Sequence, residues 1–108
     1  MSYKIELTDN FKKEAKKLIK KYASLRSEIA ELGKELSENP TMGTPLGSDV
    51  YKIRLSIASK NKGKSGGARV ITFVKIIDKT VFLLSIYNKG EKESISNKEI
   101  EELLKGYL

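Results

Sequence analysis

The sequence predicts an α+β domain: an N-terminal strand, a helical hairpin on one face of an antiparallel sheet, a three-strand meander and a C-terminal helix. Three observations carry this. Apolar residues recur at helical spacing through residues 9–38 and again after residue 96, but at a spacing of two through 51–58 and 69–87. Residues 51–87 hold three strand patterns in succession, which favours antiparallel neighbours. A chain of 108 residues permits one domain with a modest core.

Each element has its own signal. Tyr3, Ile5 and Leu7 alternate with Lys4 and Glu6, the pattern of a short half-buried strand. Thr8 or Asp9 then stands as a helix N-cap. Phe11, Ala15, Leu18, Ile19 and Tyr22 make the apolar stripe of a first helix, about Asp9 to Ala23, with Lys12, Lys13, Lys16, Lys17, Lys20 and Lys21 opposite. Ser24 can cap a second helix whose stripe is Leu25, Ile29, Leu32 and Leu36. Gly33 weakens it, and Asn39-Pro40 ends it. With so little between them, the two helices form an antiparallel hairpin.

Thr41–Asp49, with Gly43, Pro45 and Gly47, reads as an ordered loop. Tyr51, Ile53, Leu55 and Ile57 then face one way, and Lys52, Arg54, Ser56 and Ala58 the other. Ser59–Gly67 reads as an exposed, mobile Lys/Gly/Ser loop. Arg69–Ile77 and Val81–Tyr87 are strands joined by a tight turn at Asp78-Lys79. Ser96 or Asn97 caps the last helix, with Ile100, Leu103 and Leu104 inward. A sheet this small needs helical cover on a face.

Composition narrows the chemistry. There is no Cys and no His, so disulfides, thiolate nucleophiles and histidine bases are excluded, and the commonest metal ligands are missing. No segment is long and apolar enough to span a membrane, and the N-terminus lacks the apolar stretch of a signal peptide, so a cytoplasmic protein is expected. The 21 Lys and Arg against 14 Asp and Glu give a net charge of +7, which points to a polyanionic partner.

That surplus is not spread evenly. Residues 1–50 hold 9 basic and 8 acidic residues, whereas residues 51–108 hold 12 and 6. The lysine stripe of the first helix is therefore nearly offset and reads as a solvated face. The excess lies between Lys52 and Lys92. Lys52 and Arg54 emerge on one face of a strand about 7 Å apart. Arg69 follows Gly66-Gly67 at the start of the next strand, and Lys89 and Lys92 follow Tyr87 at the end of the last. The strands carry no acid to pair with them. Clustered cations repel one another, and a phosphate backbone would relieve that.

RNA cleavage by its own 2′-hydroxyl needs a proton acceptor, charge stabilisation at phosphorus and a proton donor to the leaving 5′-oxygen. A lysine crowded by cations can approach base behaviour, and the arginine fork suits phosphate oxygens. Glu91 is either a base or a partner that orients Lys89 or Arg69. No cofactor is implied. The Gly63-Lys64-Ser65 triplet is not a P-loop, because Ala58 stands where the earlier glycine is required. Glu99, Glu101 and Glu102 read as solvated helix charges rather than metal ligands.

Three stretches carry a family resemblance: Tyr51-Lys52-Ile53-Arg54, Lys64-Ser65-Gly66-Gly67-Ala68-Arg69-Val70-Ile71, and Leu83 to Glu93 with its Tyr87-Asn88-Lys89-Gly90-Glu91-Lys92 core. Together they resemble the RelE/ParE superfamily of toxins, most closely the HigB-like branch. The resemblance implies a microbial-ribonuclease-like fold and the toxin of a type II toxin–antitoxin module. Many such toxins are mRNA interferases that cleave mRNA on the ribosome without metal and so block translation. By position it implies Lys52, Arg54, Arg69, Lys89 and Lys92 as the catalytic basic set; Glu91, beside that cluster, joins them as a catalytic candidate, and Lys60, Lys62, Lys64 and Tyr87 are the candidates for binding RNA. The implied partners are an antitoxin and ribosome-bound mRNA. The RelE pattern prefers Arg where Lys89 and Lys92 stand. Its late tyrosine has no clear match, since Tyr107 lies beyond the last helix. Two alternatives stay open: a ParE-like gyrase poison that does not cleave, which Lys52, Arg54 and Arg69 disfavour, and an inactive RNA-binding relic.

Overall fold

The N-terminal alternation folds as strand β1 (Lys4–Leu7) in a computed structural model that describes residues 2–60 and 66–108, with the Lys60 side chain also outside it. Thr8 caps helix α1 (Asp9–Lys21), its hydroxyl oxygen accepting the Phe11 N–H. Helix α2 (Leu25–Glu38) follows and ends at Asn39, whose N–H returns to the Glu35 carbonyl. Strands β2 (Thr44–Gly47), β3 (Val50–Leu55), β4 (Ala68–Lys75) and β5 (Thr80–Asn88) complete the sheet. Helix α3 (Asn97–Leu104) closes the chain. It starts with a full capping box, in which Ser96 accepts the Glu99 N–H and Glu99 accepts the Ser96 N–H.

The strand order is β1-β5-β4-β3-β2. From β2 to β5 every pairing is antiparallel, but β1 runs parallel to β5, so the sheet is mixed rather than wholly antiparallel. The cause is topological. After β1 the helical hairpin crosses to the far edge, and the meander brings β5 back alongside β1 in the same direction. A parallel pair needs such a long crossover.

Other expectations shift as well. Thr41–Asp49 contains β2, a short edge strand bent by a register shift between Pro45 and Gly47. Gly43, at φ +102°, lies so close to the Lys52 carbonyl that a Cβ there would stand 2.6 Å from its oxygen. Strand β4 stops at Lys75, and Ile76–Asp78 forms a 3-10 turn closed by Lys79 in the left-handed region. Helix α1 ends at Lys21, two residues early. The expected loop at Asn61–Ser65, with Lys62 and Lys64, lies outside the described residues.

The helices cover both faces, not one. Phe11, Ala15, Leu25, Leu32 and Leu36 of the hairpin pack on Ile53, Val70, Val74, Val81, Leu83 and Ile86. On the other face Ile100 and Leu104 of α3 pack on Val50, Ile71, Phe73 and Leu84. A bulge at Leu84, where Ile71 pairs with Ser85 but Thr72 with Leu83, re-aims the end of β5. No helix among the described residues is long and apolar enough to cross a membrane.

Candidate functional site

Residues opposite one another in an antiparallel ladder share a face. On the α3 side of β3, β4 and β5 this gives three cross-strand rows. The first is Val50–Phe73–Phe82, the second Lys52–Ile71–Ser85, and the third Arg54–Arg69–Tyr87. Helix α3 covers the first row, and Tyr107 beyond it stacks at a tilt on Phe82, ring centres 5.0 Å apart. The third row lies at the opposite end of the same face. Two arginines and a tyrosine are therefore cross-strand neighbours, with Lys52 one row away.

The members of this row differ in exposure. Arg54 is exposed and Lys52 half-buried. Among the described residues neither has an ion-pair partner. Arg69 is only 4% exposed, and its guanidinium donates to the Ala68 carbonyl at 3.1 Å. Tyr87 is 6% exposed, and its buried hydroxyl has no hydrogen-bond partner among the described residues. Burial raises the Tyr87 pKa, while the nearby charges of Arg69 and Lys92 pull it back down.

Gly67 fixes how Arg69 enters the strand. A Cβ at Gly67 would stand 2.3 Å from the Leu55 carbonyl oxygen, so only glycine lets the chain pass β3 this closely. Its own carbonyl accepts the Lys89 N–H at 3.0 Å. The Gly-Gly before Arg69 thus joins the ends of β3 and β5.

The residues after β5 separate. Lys92 Nζ stands 5.5 Å from the centre of the Tyr87 ring and pairs with the Glu99 carboxylate of α3. That hydrogen bond holds the Glu99 carboxyl below its usual range. Lys89 donates to the Glu93 carbonyl at 3.1 Å. Glu91 accepts from Lys21 of α1 at 3.2 Å and from Asn88 at 3.1 Å, which draws it toward the hairpin. The Lys21 ammonium has a raised pKa from that bond. Two readings need correction. Cations near the sheet do meet acids, at Lys75–Asp78, Lys89–Glu93 and Lys92–Glu99. Glu99 is a specific partner, not a merely solvated charge.

One acid escaped the sequence reading. Where β1 stops, Glu14 of α1 takes over the edge of β5, accepting from Ser85 Oγ at 2.7 Å, the Ile86 N–H at 3.3 Å and Asn10 Nδ2 at 2.8 Å. Asn10 also donates to the Leu84 carbonyl at 2.9 Å. The i, i+4 spacing of Asn10 and Glu14 was the available signal, since such residues share a helix face.

The chain matches the family model described as the RelE toxin of the RelE/RelB toxin–antitoxin system over residues 3–106. Solved structures agree in fold. A double arginine-to-alanine mutant of E. coli toxin RelE in the free state superposes with a TM-score of 0.66 at 23% identity, covering 100% of both chains. A chain of the intact E. coli RelBE toxin–antitoxin complex gives 0.61 at 23% identity, covering 81% of this chain and 96% of that one. The RelBE2 toxin–antitoxin complex of Mycobacterium tuberculosis gives 0.61 at 18% identity, covering 82% and 99%. The family match over nearly all of its length, on a sheet of the same architecture, makes this chain a member of the RelE toxin family.

Proposed function

We propose that this RelE-family protein is an endoribonuclease that cleaves mRNA on the ribosome and so blocks translation. The observation that carries the reading is the Arg54–Arg69–Tyr87 row, with Lys52 one row away, at the opposite end of this face from the Val50–Phe73–Phe82 row. In this reading Arg54 and Arg69 hold the scissile phosphate and stabilise the charge that develops as phosphorus becomes five-coordinate. Lys52 takes the proton of the attacking 2′-hydroxyl. Lys89 or Lys92 supplies the proton to the leaving 5′-oxygen or clamps the phosphate, and Lys92 must first release Glu99 to do so. Tyr87 offers a ring to the RNA base, and Lys60, Lys62 and Lys64 grip the backbone beyond. Glu91, tied to Lys21, orients the segment that carries both lysines.

The toxin acts in the cytoplasm. Its partner is an antitoxin that covers the basic face, supported by the family and by the charge surplus between Lys52 and Lys92. Induced expression tests the reading, with transcripts mapped for new 5′ ends. The intact chain arrests growth and yields cleaved transcripts, whereas Arg54→Ala lowers cleavage by about 10²-fold. Growth arrest with intact transcripts and a DNA-damage response would replace this reading with gyrase poisoning.

A further inference from the structure

Strand β1 flanks β5 only as far as Leu83, the partner of its last residue, Leu7. From Leu84 to Asn88, among the described residues, β5 has a strand neighbour on one side alone, namely β4. The bulge at Leu84 lies at the start of this stretch. Register is least secured in such a place, and a slip of one residue moves every side chain to the other face.

Side chains of Thr8 and α1 stand in for the missing strand. Thr8 Oγ1 donates to the Leu83 carbonyl at 2.9 Å. Asn10 Nδ2 donates to the Leu84 carbonyl at 2.9 Å and to Glu14 Oε1 at 2.8 Å. The same Glu14 oxygen accepts from Ser85 Oγ at 2.7 Å and from the Ile86 N–H at 3.3 Å. Asn88 Nδ2 donates to the hydroxyl of Tyr22, just past the end of α1, at 3.2 Å. Asn10 and Glu14 thus grip the bulge and the two residues after it. Glu14 does this as an acceptor, not as a charge: among the described residues it forms no ion pair.

What these bonds hold in place is Tyr87. It follows Ile86 directly, and the register sets it opposite Arg69, in the row of Arg54. Lys92 Nζ stands 5.5 Å from the centre of the same ring. A slip beyond the bulge would turn Tyr87 toward the hairpin-side core and put a neighbour in the row. We propose that Glu14, supported by Asn10, is a positioning residue for RNA cleavage: it locks β5 in register beyond the bulge and so keeps Tyr87 beside Arg69 and Arg54. The inference rests on the RNA-cleaving reading above, in which Tyr87 offers its ring to the RNA base.

The test uses the full chain and ribosomes programmed with a short labelled mRNA. Single-turnover cleavage over a range of toxin concentrations gives a maximal rate and a half-saturating concentration, both counted per folded molecule. Glu14→Ala lowers the maximal rate by about 10- to 100-fold, because small displacements at a reacting centre are that costly, and leaves the half-saturating concentration within about 2-fold. Glu14→Gln keeps the acceptor oxygen and stays within about 3-fold of the parent. A purely electrostatic role predicts instead that both variants gain to the same degree. Asn10→Ala moves the rate in the same direction as Glu14→Ala, by about 3- to 10-fold. Tyr87→Ala lowers the rate as well, and adding Glu14→Ala to it costs nothing further, because both act through one ring. Should Glu14→Ala fail to fold, Asn10→Ala, alone and combined with Tyr87→Ala, decides. A Glu14→Ala chain that is less stable yet cleaves at the parent's rate per folded molecule overturns the positioning role. So does Glu14→Gln failing as badly as Glu14→Ala, or a loss that persists without Tyr87. A parent chain that leaves the mRNA intact overturns the RNA-cleaving reading, and the positioning role with it.

Discussion

The two faces of the sheet are made by the same strands and do opposite things. On the hairpin side, Ile53, Val70, Val74, Leu83 and Ile86 meet Phe11, Leu25, Leu32 and Leu36, and all are buried. On the other side the same β3 presents Val50, then Lys52, then Arg54, which pass from buried through half-buried to exposed along the face that α3 packs on. The difference teaches that strand alternation, not local charge density, sets which face of the sheet the cations occupy. Helix α1 carries six lysines, of which Lys21 pairs with Glu91. Strand β3 carries two cations, and its register sets Arg54 opposite Arg69 and Lys52 opposite Ile71.

One substitution on each face gives the widest contrast. Phe11→Ala empties a fully buried site and costs about 3–5 kcal/mol, enough to unfold much of a marginal domain. Arg54→Ala removes an exposed side chain with no ion-pair partner among the described residues, and costs less than about 0.5 kcal/mol. Denaturant melts of the two variants measure both. Equal losses would erase the distinction between a closed face and a functional one.

Much of this was legible beforehand because it rests on local periodicity. The alternation Tyr51-Lys52-Ile53-Arg54 assigns each residue to its face without any coordinates. The stripes of α1 and α2, and a cap at Ser96, are equally local, although the part Glu99 plays in that cap was not read. What was not legible depends on contacts far apart in sequence. The parallel pairing of β1 with β5 depends on where the meander ends. That Lys92 meets Glu99, and Glu91 meets Lys21, depends on how α3 and α1 dock. Ser24 was expected as a cap because serine usually is one. Only the turn at Ala58–Lys60 shows that its hydroxyl has another partner.

A smaller effect sharpens the contrast from inside the sheet. Thr72 is completely buried between β3 and β5, and its hydroxyl has no partner among the described residues. Its row neighbours, Tyr51 and Leu83, belong to the hairpin-side core. Replacing a buried unsatisfied hydroxyl with a methyl group removes a desolvation penalty, so Thr72→Val raises stability by about 1 kcal/mol. A rise in Tm with unchanged RNA binding would place Thr72 wholly on the structural face. Lost binding would show that the hydroxyl serves the other side.

The smallest effect concerns the tie between α3 and the basic end of the sheet. Glu99 accepts a hydrogen bond from Lys92, which holds its carboxyl below the usual range. A carboxyl depressed in the folded state stabilises the fold above its unfolded pKa, and that contribution fades as pH falls through the folded value. Glu99→Gln keeps the capping box, because glutamine also serves at that position, and removes only the ion pair. Paired thermal melts should therefore show wild type slightly more stable near neutral pH and the two proteins converging in acid. Because the pair is exposed, the gap is small and shrinks with salt. If RNA binding tightens in the same variant, Lys92 has been freed from α3 for the substrate. If binding is unchanged, Lys92 belongs to the packing around Tyr87, and the basic face is confined to Lys52, Arg54 and Arg69.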